Sequence, residues 1–249
     1  MATVRAYLST LFILLATFVG SWLALLLRLF DKSGDLVVDL AQLWARSLLA
    51  FGGVKVTIEW RAPIDKDGAY VFMSNHVSTV DIWSLLAALP FRVRMIAKKQ
   101  LGGIPLFGWA MRAGRFIFID RANGVAARRT IDEAKRRIRA GHKVLLYPEG
   151  TRSRDGKLGP FKKGGFHLAI DAGVPIVPVA VTGARECMPR GSFIMRAGHV
   201  HITVFEPIPT AGLTEENRQE LIDRVRGTIA RGLGQDEATV PAQPAALVR

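Results

Sequence analysis

The sequence predicts an α/β protein: a mixed, largely parallel sheet flanked by helices, with an N-terminal membrane-associated helical hairpin. Strand-like and helical patterns alternate over residues 52–233 without a repeat or a linker, which predicts one domain with helices on both faces of its sheet. An apolar helical segment and an amphipathic one precede it within residues 1–51, and they predict the hairpin. Residues 234–249 place Pro241 and Pro244 among Ala and Gln, a composition that predicts a disordered tail.

The composition excludes several classes of protein. The chain has 249 residues, is 49% apolar and has a mean hydropathy of +0.22, so it is too apolar to be disordered. A single cysteine, Cys187, excludes a disulfide framework and a Cys-rich metal site, and it suits a reducing compartment. The net charge of +13 favours anionic partners, namely nucleic acid, anionic lipid headgroups or phosphorylated substrates. High hydropathy together with this charge indicates a protein that lies at a membrane surface.

The first helical segment is an uncharged stretch over residues 7–27. At 1.5 Å per residue a helix of this length extends about 32 Å, enough to cross the hydrocarbon core of a bilayer. A cleaved signal peptide has a shorter apolar region, and no clear small-residue cleavage site follows here. The positive residues around the segment favour a cytoplasmic location for the chain that follows it.

The second segment, residues 35–51, has the pattern of an amphipathic helix. Its polar residues, Asp35, Asp39, Gln42 and Arg46, are spaced three and four apart, and Leu and Trp residues occupy the other side. Two arrangements fit the pair of segments: the first helix spans the bilayer, or both lie in one leaflet as a monotopic hairpin. A third alternative for the second helix is ordinary packing on the domain that follows.

Strands and helices follow in alternation, each indicated by periodicity and by the residues that end it. Prolines in the run VPIVPV indicate a strand start at Pro175 and an edge or bulge at Pro178. Strands are predicted at residues 54–60, 69–73, 92–97, 115–119, 144–147, 174–181 and 199–205. Helices are predicted at residues 79–89, 126–140, 166–172 and 215–233.

The run NHVSTVD contains the first candidate site, His76 and Asp81. Five positions on one helix would place the two side chains about 140° apart, so His76 must lie on the turn before the helix, where its ring can reach Asp81. A carboxylate in that position fixes the imidazole tautomer, and the other ring nitrogen can then take a proton from a hydroxyl. The alternative is a capping box, because Ser78 and Asp81 also match its spacing.

Two further runs end predicted strands with polar residues. YPEGTRS, residues 147–153, places a glycine turn after a buried strand, where open α/β sheets bind ligands. Gly150 lets a ligand approach the backbone, and Arg152 can bind a phosphate through two hydrogen bonds; the alternative is a loop with a solvated arginine. GRFIFIDR, residues 114–121, is a buried strand ending in Arg121, either a ligand cation or a surface partner of Asp120.

Taken together, NHVSTVD, GRFIFIDR, YPEGTRS and VPIVPV, in this order, closely resemble the glycerolipid acyltransferases, specifically the 1-acyl-glycerol-3-phosphate (lysophosphatidic acid) acyltransferases. The resemblance extends over about residues 50–210 and makes residues 52–233 an acyltransferase domain. The segment over residues 97–108 is also similar to the stretch between the family's first two motifs. Tyr147 is a mild variation on the family's usual aromatic residue.

The resemblance implies transfer of a fatty acyl group from acyl-CoA or acyl carrier protein to the sn-2 hydroxyl of lysophosphatidic acid, giving phosphatidic acid. It implies that His76 is the general base and that Asp81 orients it. Glu149 and Gly150 would hold the glycerol end, and Arg121, Arg152 and one of Lys98 or Lys99 would hold the phosphate. No metal or other cofactor is implied. The complete set of implied substrate-binding residues is Lys98, Lys99, Arg121, Glu149, Gly150, Thr151 and Arg152.

The resemblance also implies membrane lipid as a partner and a location at the inner or plasma membrane, with the catalytic domain facing the cytoplasm. Residues 92–143 carry 14 Lys or Arg and 3 acidic residues, which suits an anionic substrate and surface. Alternative acceptors are lyso-ornithine lipid, another lysophospholipid or glycerol 3-phosphate. A non-catalytic basic membrane-surface protein or a nucleic-acid-binding module would leave His76 and Asp81 unexplained, and no RRM-like signature is present. A thioesterase-like hydrolase would need a G-x-S-x-G element, which the sequence lacks.

Overall fold

The secondary structure follows the predicted alternation. The protein is described by a computed structural model that covers residues 2–120 and 124–235. The strands are β1 Val54–Trp60, β2 Val71–Ser74, β3 Val93–Lys98, β4 Ile117–Ile119, β5 Lys143–Leu146, β6 Ile176–Thr182 and β7 Gly198–Val204. The helices are α1 Ala2–Phe30, α2 Asp35–Gly52, α3 Val80–Ala88, α4 Lys99–Gly102, α5 Phe107–Ala113, α6 Gly124–Arg139, α7 Gly164–Ala172, α8 Ala184–Cys187 and α9 Arg218–Gly232. The short helices α4, α5 and α8 are additions to the predicted set.

The strands form one sheet in the order β1-β7-β6-β2-β5-β3-β4. Among the described strands, β6 and β7 pair antiparallel and every other neighbouring pair is parallel. The prediction of a mixed, largely parallel sheet is therefore confirmed. Strands β2, β5, β3 and β4 are consecutive neighbours, so their carboxyl ends meet at one edge of the sheet, and the three polar motifs follow three of these strands.

Of the two predicted positions for Pro178, an edge or a bulge, the edge is excluded because β6 is an interior strand, and the irregular ladder beside Pro178 agrees with the bulge. The hydrogen-bond ladder on the β7 side of β6 is interrupted between the Ile176–Ile208 bridge and the Val179–Val204 pair. Residues 177–178 of β6 therefore lie opposite residues 205–207, which follow β7. The missing N–H of Pro178 falls in this interruption, and its carbonyl accepts a hydrogen bond from Phe205 N–H at 3.0 Å.

Alternate residues of the inner strands pack on opposite faces of the sheet. In β2, Phe72 belongs to the core beneath α2 and α3, whereas Val71 and Met73 belong to the core beneath α6, α7 and α9. Leu145 in β5 lies on the same face as Phe72. Both faces of the sheet are therefore covered, as expected for parallel strands.

Helix α1 exposes most of its apolar surface. The segment Tyr7–Phe30 is long and apolar enough to cross a membrane, and 11% of the apolar stretch that meets this criterion is buried. Soluble proteins rarely expose an apolar surface of this extent, so the helix indicates membrane association. Its exposed large residues are Tyr7, Leu8, Leu11, Leu14, Leu15, Phe18, Val19, Trp22, Leu23, Leu26, Leu29 and Phe30.

Helix α2 turns polar side chains toward the domain. Gln42 Nε2 donates to the carbonyl oxygens of Leu89 (3.2 Å) and Phe91 (3.0 Å), and Arg46 Nε donates to that of Ala87 (3.1 Å). These carbonyls lie at and just beyond the end of α3, where a helix leaves them without intrahelical partners. A neighbouring stripe of α2, including Leu48, is buried in the core with α3. Both features show α2 packed on the domain.

A buried arginine joins the α1–α2 connection to the sheet. Arg94 in β3 is 1% exposed, and its guanidinium donates to Asp35 at the start of α2 (2.5 Å) and contacts His142 Nδ1 (3.1 Å). Burial, and next the charge of Arg94, lower the pKa of His142, which favours the neutral ring that can accept this hydrogen bond. Gly34 before α2 has φ +80°, and a Cβ there would lie 2.6 Å from the carbonyl oxygen of Ala113. This close approach requires glycine.

Candidate active site

His76 and Asp81 form a hydrogen-bonded pair at the end of β2. His76 lies on the turn before α3, and its Nδ1 is 2.9 Å from Oδ2 of Asp81 in the first turn of that helix. The spacing in the sequence predicts this arrangement. Because a carboxylate only accepts hydrogen bonds, Nδ1 carries the proton and Nε2 of the neutral ring is left as an acceptor. Asp81 is 0% exposed, so the pair is sheltered from water on this side.

The same carboxylate oxygen also organises the turn. Asp81 Oδ2 accepts hydrogen bonds from the backbone N–H groups of Val77 (2.7 Å) and Ser78 (2.8 Å). The second of these is the contact that a capping-box acid makes. Ser78 Oγ in turn accepts from Val80 N–H at 3.0 Å and donates to the carbonyl oxygen of Met188 at 2.6 Å. The structure therefore contains both the contact of Asp81 with His76 and the contact with Ser78 N–H that a capping box would make.

Tyr147 contacts His76, which the sequence did not predict. Its ring stacks on the imidazole of His76, with ring centroids 3.9 Å apart and an interplanar angle of 15°. Its hydroxyl is buried and has no hydrogen-bond partner within the part of the chain that the structure describes. Burial, and to a lesser extent the charge of Asp81, raise the pKa of Tyr147 well above its usual value, so the hydroxyl stays neutral.

Glu149 links the two motifs that follow β2 and β5. Its Oε1 accepts a hydrogen bond from the backbone N–H of His76 and its Oε2 accepts one from Gly159 N–H, both at 2.9 Å. Glu149 is 7% exposed, and burial raises the pKa of its carboxyl group to about 7 against the opposite effect of the two N–H donors. Gly150 completes the turn with φ +75°, in the left-handed region that favours glycine.

The predicted phosphate-binding cations differ in their partners and in whether they line the cavity that contains His76. Arg152 Nη1 donates to Thr79 Oγ1 at 2.9 Å beside the His76 turn, and its carbonyl oxygen accepts from Arg190 at 2.7 Å. Arg190 was not predicted, because it lies outside every motif and meets the site only in space. Lys98 at the end of β3 lines the same cavity as His76, whereas Lys99 Nζ is paired with Asp120 at 3.0 Å. Arg121 lies outside the described residues.

A cavity of about 660 Å³ extends from the His76 turn to the N-terminal helices. Helices α1, α2, α3 and α5 supply a mostly apolar lining, and the motif residues supply its charged part. Five of the predicted site residues line this cavity: His76, Lys98, Gly150, Thr151 and Arg152. Tyr147 and Arg190 line it too.

A second cavity, of about 500 Å³, lies beside the loop over residues 153–162. It shares Thr151, Arg152 and Arg190 with the first cavity, and it is bordered by Glu149. Within residues 2–120 and 124–235, no group of three or more His, Cys, Asp or Glu side chains could hold a metal ion.

Comparison with known proteins agrees with this geometry. The family described as Acyltransferase matches residues 55–182, about half of the chain. The chain is 34% identical over 209 residues to the human 1-acyl-sn-glycerol-3-phosphate acyltransferase beta, which covers 83% of this chain and 75% of that one. It is 33% identical over 182 residues to the 1-acyl-sn-glycerol-3-phosphate acyltransferase of Limnanthes douglasii, covering 73% and 64%.

A solved structure is also similar to this one. The crystal structure of the 1-acyl-sn-glycerophosphate (LPA) acyltransferase PlsC from Thermotoga maritima matches with a TM-score of 0.80 at 27% identity, covering 94% of this chain and 97% of that chain. Fold, site and sequence thus define an acyltransferase. More narrowly, the chain belongs to the family of 1-acyl-sn-glycerol-3-phosphate acyltransferases.

Proposed function

We propose that the protein transfers a fatty acyl group from a thioester donor, acyl-CoA or acyl carrier protein, to the sn-2 hydroxyl of lysophosphatidic acid, giving phosphatidic acid. The observation that carries this proposal is the 2.9 Å contact between His76 Nδ1 and Asp81 on the wall of an apolar cavity that Arg152 also lines. A general base, an apolar chamber and a phosphate-binding cation thereby meet in one place. The names of the relatives support the same acceptor.

In the proposed mechanism His76 Nε2 takes the proton of the acceptor hydroxyl while that oxygen attacks the thioester carbonyl carbon. The new C–O bond gives a tetrahedral intermediate, which collapses with cleavage of the C–S bond. The departing thiolate then takes the proton from the imidazolium. Asp81 keeps its own charge throughout and stabilises the imidazolium, and its buried position strengthens that interaction.

The acceptor's phosphate is assigned to Arg152 and Lys98. Both line the cavity beside His76, and Thr79 holds the Arg152 guanidinium in place. Lys98 is preferred to Lys99 because the ammonium group of Lys99 is already paired with Asp120. Gly150 and Thr151 would contact the glycerol. Arg121 stays a predicted phosphate ligand on the basis of the resemblance.

The acyl chain of the donor or acceptor occupies the apolar part of the cavity, next to α1 and α2. In this proposal helix α1 lies in the lipid of the inner or plasma membrane, and the catalytic domain faces the cytoplasm; the exposed apolar surface of α1 supports the membrane location. Membrane lipid is thus both the surroundings and the source of the acceptor. Neither a metal nor a cofactor is required beyond the acyl donor.

The proposal is tested with purified His76→Ala protein, labelled acyl thioester and a panel of acceptors. We expect loss of at least about 100-fold in turnover with lysophosphatidic acid, because a general base contributes about 10²–10⁴-fold. His199→Ala is the matched control, since His199 in β7 bonds Thr57 on the edge strand β1 and lies outside the cavity. Near-normal turnover in folded His76→Ala would contradict the mechanism. A preference for glycerol 3-phosphate or for a lysolipid without a phosphate monoester would contradict the acceptor.

A further inference from the structure

The exposed apolar side chains of this protein are confined to a few segments. Among residues whose exposure the structure describes, the large ones lie in α1, in α2, in the α4–α5 segment or in the pair Phe193 and Ile194, which we call the apolar tip. Leu101 and Ile104 line the first cavity, and Trp109 lies on α5, which packs against α1. Phe193 is 81% exposed and, like Ile194, lines neither cavity. Catalysis therefore leaves the apolar tip unexplained.

The apolar tip belongs to an anchored loop, residues 188–197, between α8 and β7. Arg196 N–H donates to the carbonyl oxygen of Cys187 at 2.8 Å, which closes the base of the loop. The Met195 side chain is buried against Gly52, at the end of α2, so closely that a Cβ at Gly52 would overlap it. The loop therefore holds the apolar tip in water at a fixed position on the protein, which is costly unless the tip has a partner.

The apolar tip lies beside the N-terminal part of α1. Thr10 Oγ1 in α1 donates to the carbonyl oxygen of Phe193 at 2.9 Å. Tyr7 and Leu14, three residues before and four residues after Thr10, lie on the same side of the helix, and both are exposed. The apolar tip therefore continues the exposed apolar surface of α1, which indicates membrane association.

The loop is cationic. Arg190 and Arg196 bracket the apolar tip, and residues 188–197 contain no Asp or Glu. Within the part of the chain that the structure describes, the exposed side chain of Arg196 makes no hydrogen bond or salt bridge. Apolar side chains flanked by cations suit an anionic bilayer, because the former reach the acyl chains while the latter meet the lipid phosphates. A second copy of the chain would instead bring another net charge of +13 against these cations.

We propose that the apolar tip inserts into the membrane surface beside α1, with Arg196 on anionic lipid headgroups. Arg190, three residues before Phe193, lines both cavities and bonds the carbonyl oxygen of Arg152. Insertion of the tip thereby holds this side of the active site at the level of the headgroups, where the phosphate of a lysolipid lies. The proposal rests on the membrane location in the proposed function and adds a contact that α1 does not make.

The first test places a polarity-sensitive dye on single exposed cysteines of the full-length protein. The one native cysteine, Cys187, is buried, so an exposed cysteine is labelled selectively. Phe193→Cys reports on the tip and Leu15→Cys on α1. Glu220→Cys is the matched control, because it is exposed on α9, which covers the face of the sheet opposite α2. Each protein is reconstituted with phosphatidylcholine vesicles that contain phosphatidylglycerol, and quenching by spin-labelled lipid and by aqueous iodide is measured.

We expect lipid to quench the dyes at positions 193 and 15, and iodide to quench the dye at position 220. If the dye at 193 behaves like the dye at 220 while the dye at 15 is quenched by lipid, the proposed tip is overturned and the membrane location of α1 stands. If lipid quenches neither 193 nor 15, both fail. If the dye at 193 is shielded in detergent to an extent that grows with protein concentration, the tip faces a second copy of the chain, which also overturns the proposal. These measurements need no turnover, so they stand apart from the identity of the acceptor.

The second test measures affinity and transfer. Phe193→Ser/Ile194→Ser should bind the same vesicles about 10-fold more weakly than wild type, because two apolar side chains no longer leave water. Its kcat/KM should fall for long-chain lysophosphatidic acid in vesicles and stay unchanged for a short-chain, water-soluble lysophosphatidic acid. Unchanged vesicle affinity, or equal losses for the two acceptors, would overturn the proposal.

Arg196→Ala tests the headgroup contact. It should bind vesicles with phosphatidylglycerol about 5-fold more weakly than wild type, because an exposed cation is attracted to an anionic surface. Its binding to pure phosphatidylcholine vesicles should equal that of wild type, which serves as the control. An equal loss on both kinds of vesicle, or no loss on either, would refute the contact between Arg196 and anionic headgroups.

Discussion

Replacing Asp81 by Asn removes the negative charge beside His76 but keeps the hydrogen bonds that the carboxylate accepts from His76 and from the turn. An Asn oxygen at the Oδ2 position would still accept from His76 Nδ1 and from the N–H groups of Val77 and Ser78. The amide NH₂ would take the Oδ1 position, which is buried and has no hydrogen-bond partner in residues 2–120 and 124–235. Leaving a buried donor unpaired costs about 1–3 kcal/mol, so the variant should be moderately destabilised.

The effect on activity should be much larger than the effect on stability. The neutral amide cannot stabilise an imidazolium at His76, so we expect turnover per folded molecule to fall about 10²–10⁴-fold. At about 2–4 °C per kcal/mol, a loss of about 1–3 kcal/mol should lower the melting temperature by about 2–12 °C. Acyl transfer to lysophosphatidic acid in detergent micelles and a thermal scan of the same preparation measure both quantities.

Ser78→Ala is the matched control for Asp81→Asn. It removes the hydroxyl contacts to Val80 N–H and the carbonyl oxygen of Met188, at a similar cost of about 1–3 kcal/mol, without touching His76. Its activity per folded molecule should remain close to wild type. If the two variants have equal activity per folded molecule, Asp81 acts only through the turn and the His–Asp reasoning is refuted.

Three further substitutions have predicted outcomes. Glu149→Gln turns an amide donor toward Gly159 N–H and should lower the free energy of unfolding by about 1–3 kcal/mol in chemical denaturation. In the folded state the pKa of Glu149 is raised from 4.5 to about 7, so between pH 4.5 and about 7 the folded state binds more protons than the unfolded state. The free energy of unfolding of the wild type should therefore fall as the pH rises through this range, and Glu149→Gln should lack this pH dependence. Arg152→Lys should lower kcat/KM for lysophosphatidic acid by about 10- to 150-fold, with little change in KM for the acyl donor. The loss in kcat/KM should be smaller for a lysolipid without a phosphate monoester. Equal losses for both acceptors would mean that Arg152 has only a structural role. Asp35→Asn removes the charge of the carboxylate partner of buried Arg94 and should cost about 1–3 kcal/mol in thermal unfolding, and an unchanged melting temperature would show that this pair does not stabilise the hairpin connection.

Local features of the chain could be predicted well. His76 and Asp81 are five residues apart, so helix geometry alone requires the turn that brings them together. The strands are short apolar or alternating runs, and these patterns suffice to place them. Helices α4, α5 and α8 have four to seven residues, too few for a helical period to emerge.

Contacts between distant segments could not be predicted from the sequence. The bond from His76 N–H to Glu149 depends on β2 and β5 being neighbours, and local sequence patterns do not reveal the order of the strands. Periodicity showed that α2 has two different sides, but not that Gln42 and Arg46 face protein carbonyls. Arg190 reaches the site through the fold alone, and the stacking of Tyr147 on His76 follows from the same pairing of strands.

The pairing of β2 with β5 sets limits on where this chain can change length. Met73 is paired with Leu146, and His76 and Glu149 each lie three residues beyond their paired position. An insertion of one residue between Met73 and His76 would displace the imidazole by about 3.3 Å along the strand direction and reverse the face on which it lies. Surface connections such as residues 61–68 can lengthen at small entropic cost, because neither strand end moves. Engineering of this scaffold should therefore treat the offset from strand end to motif as fixed and the exposed connections between elements as adjustable.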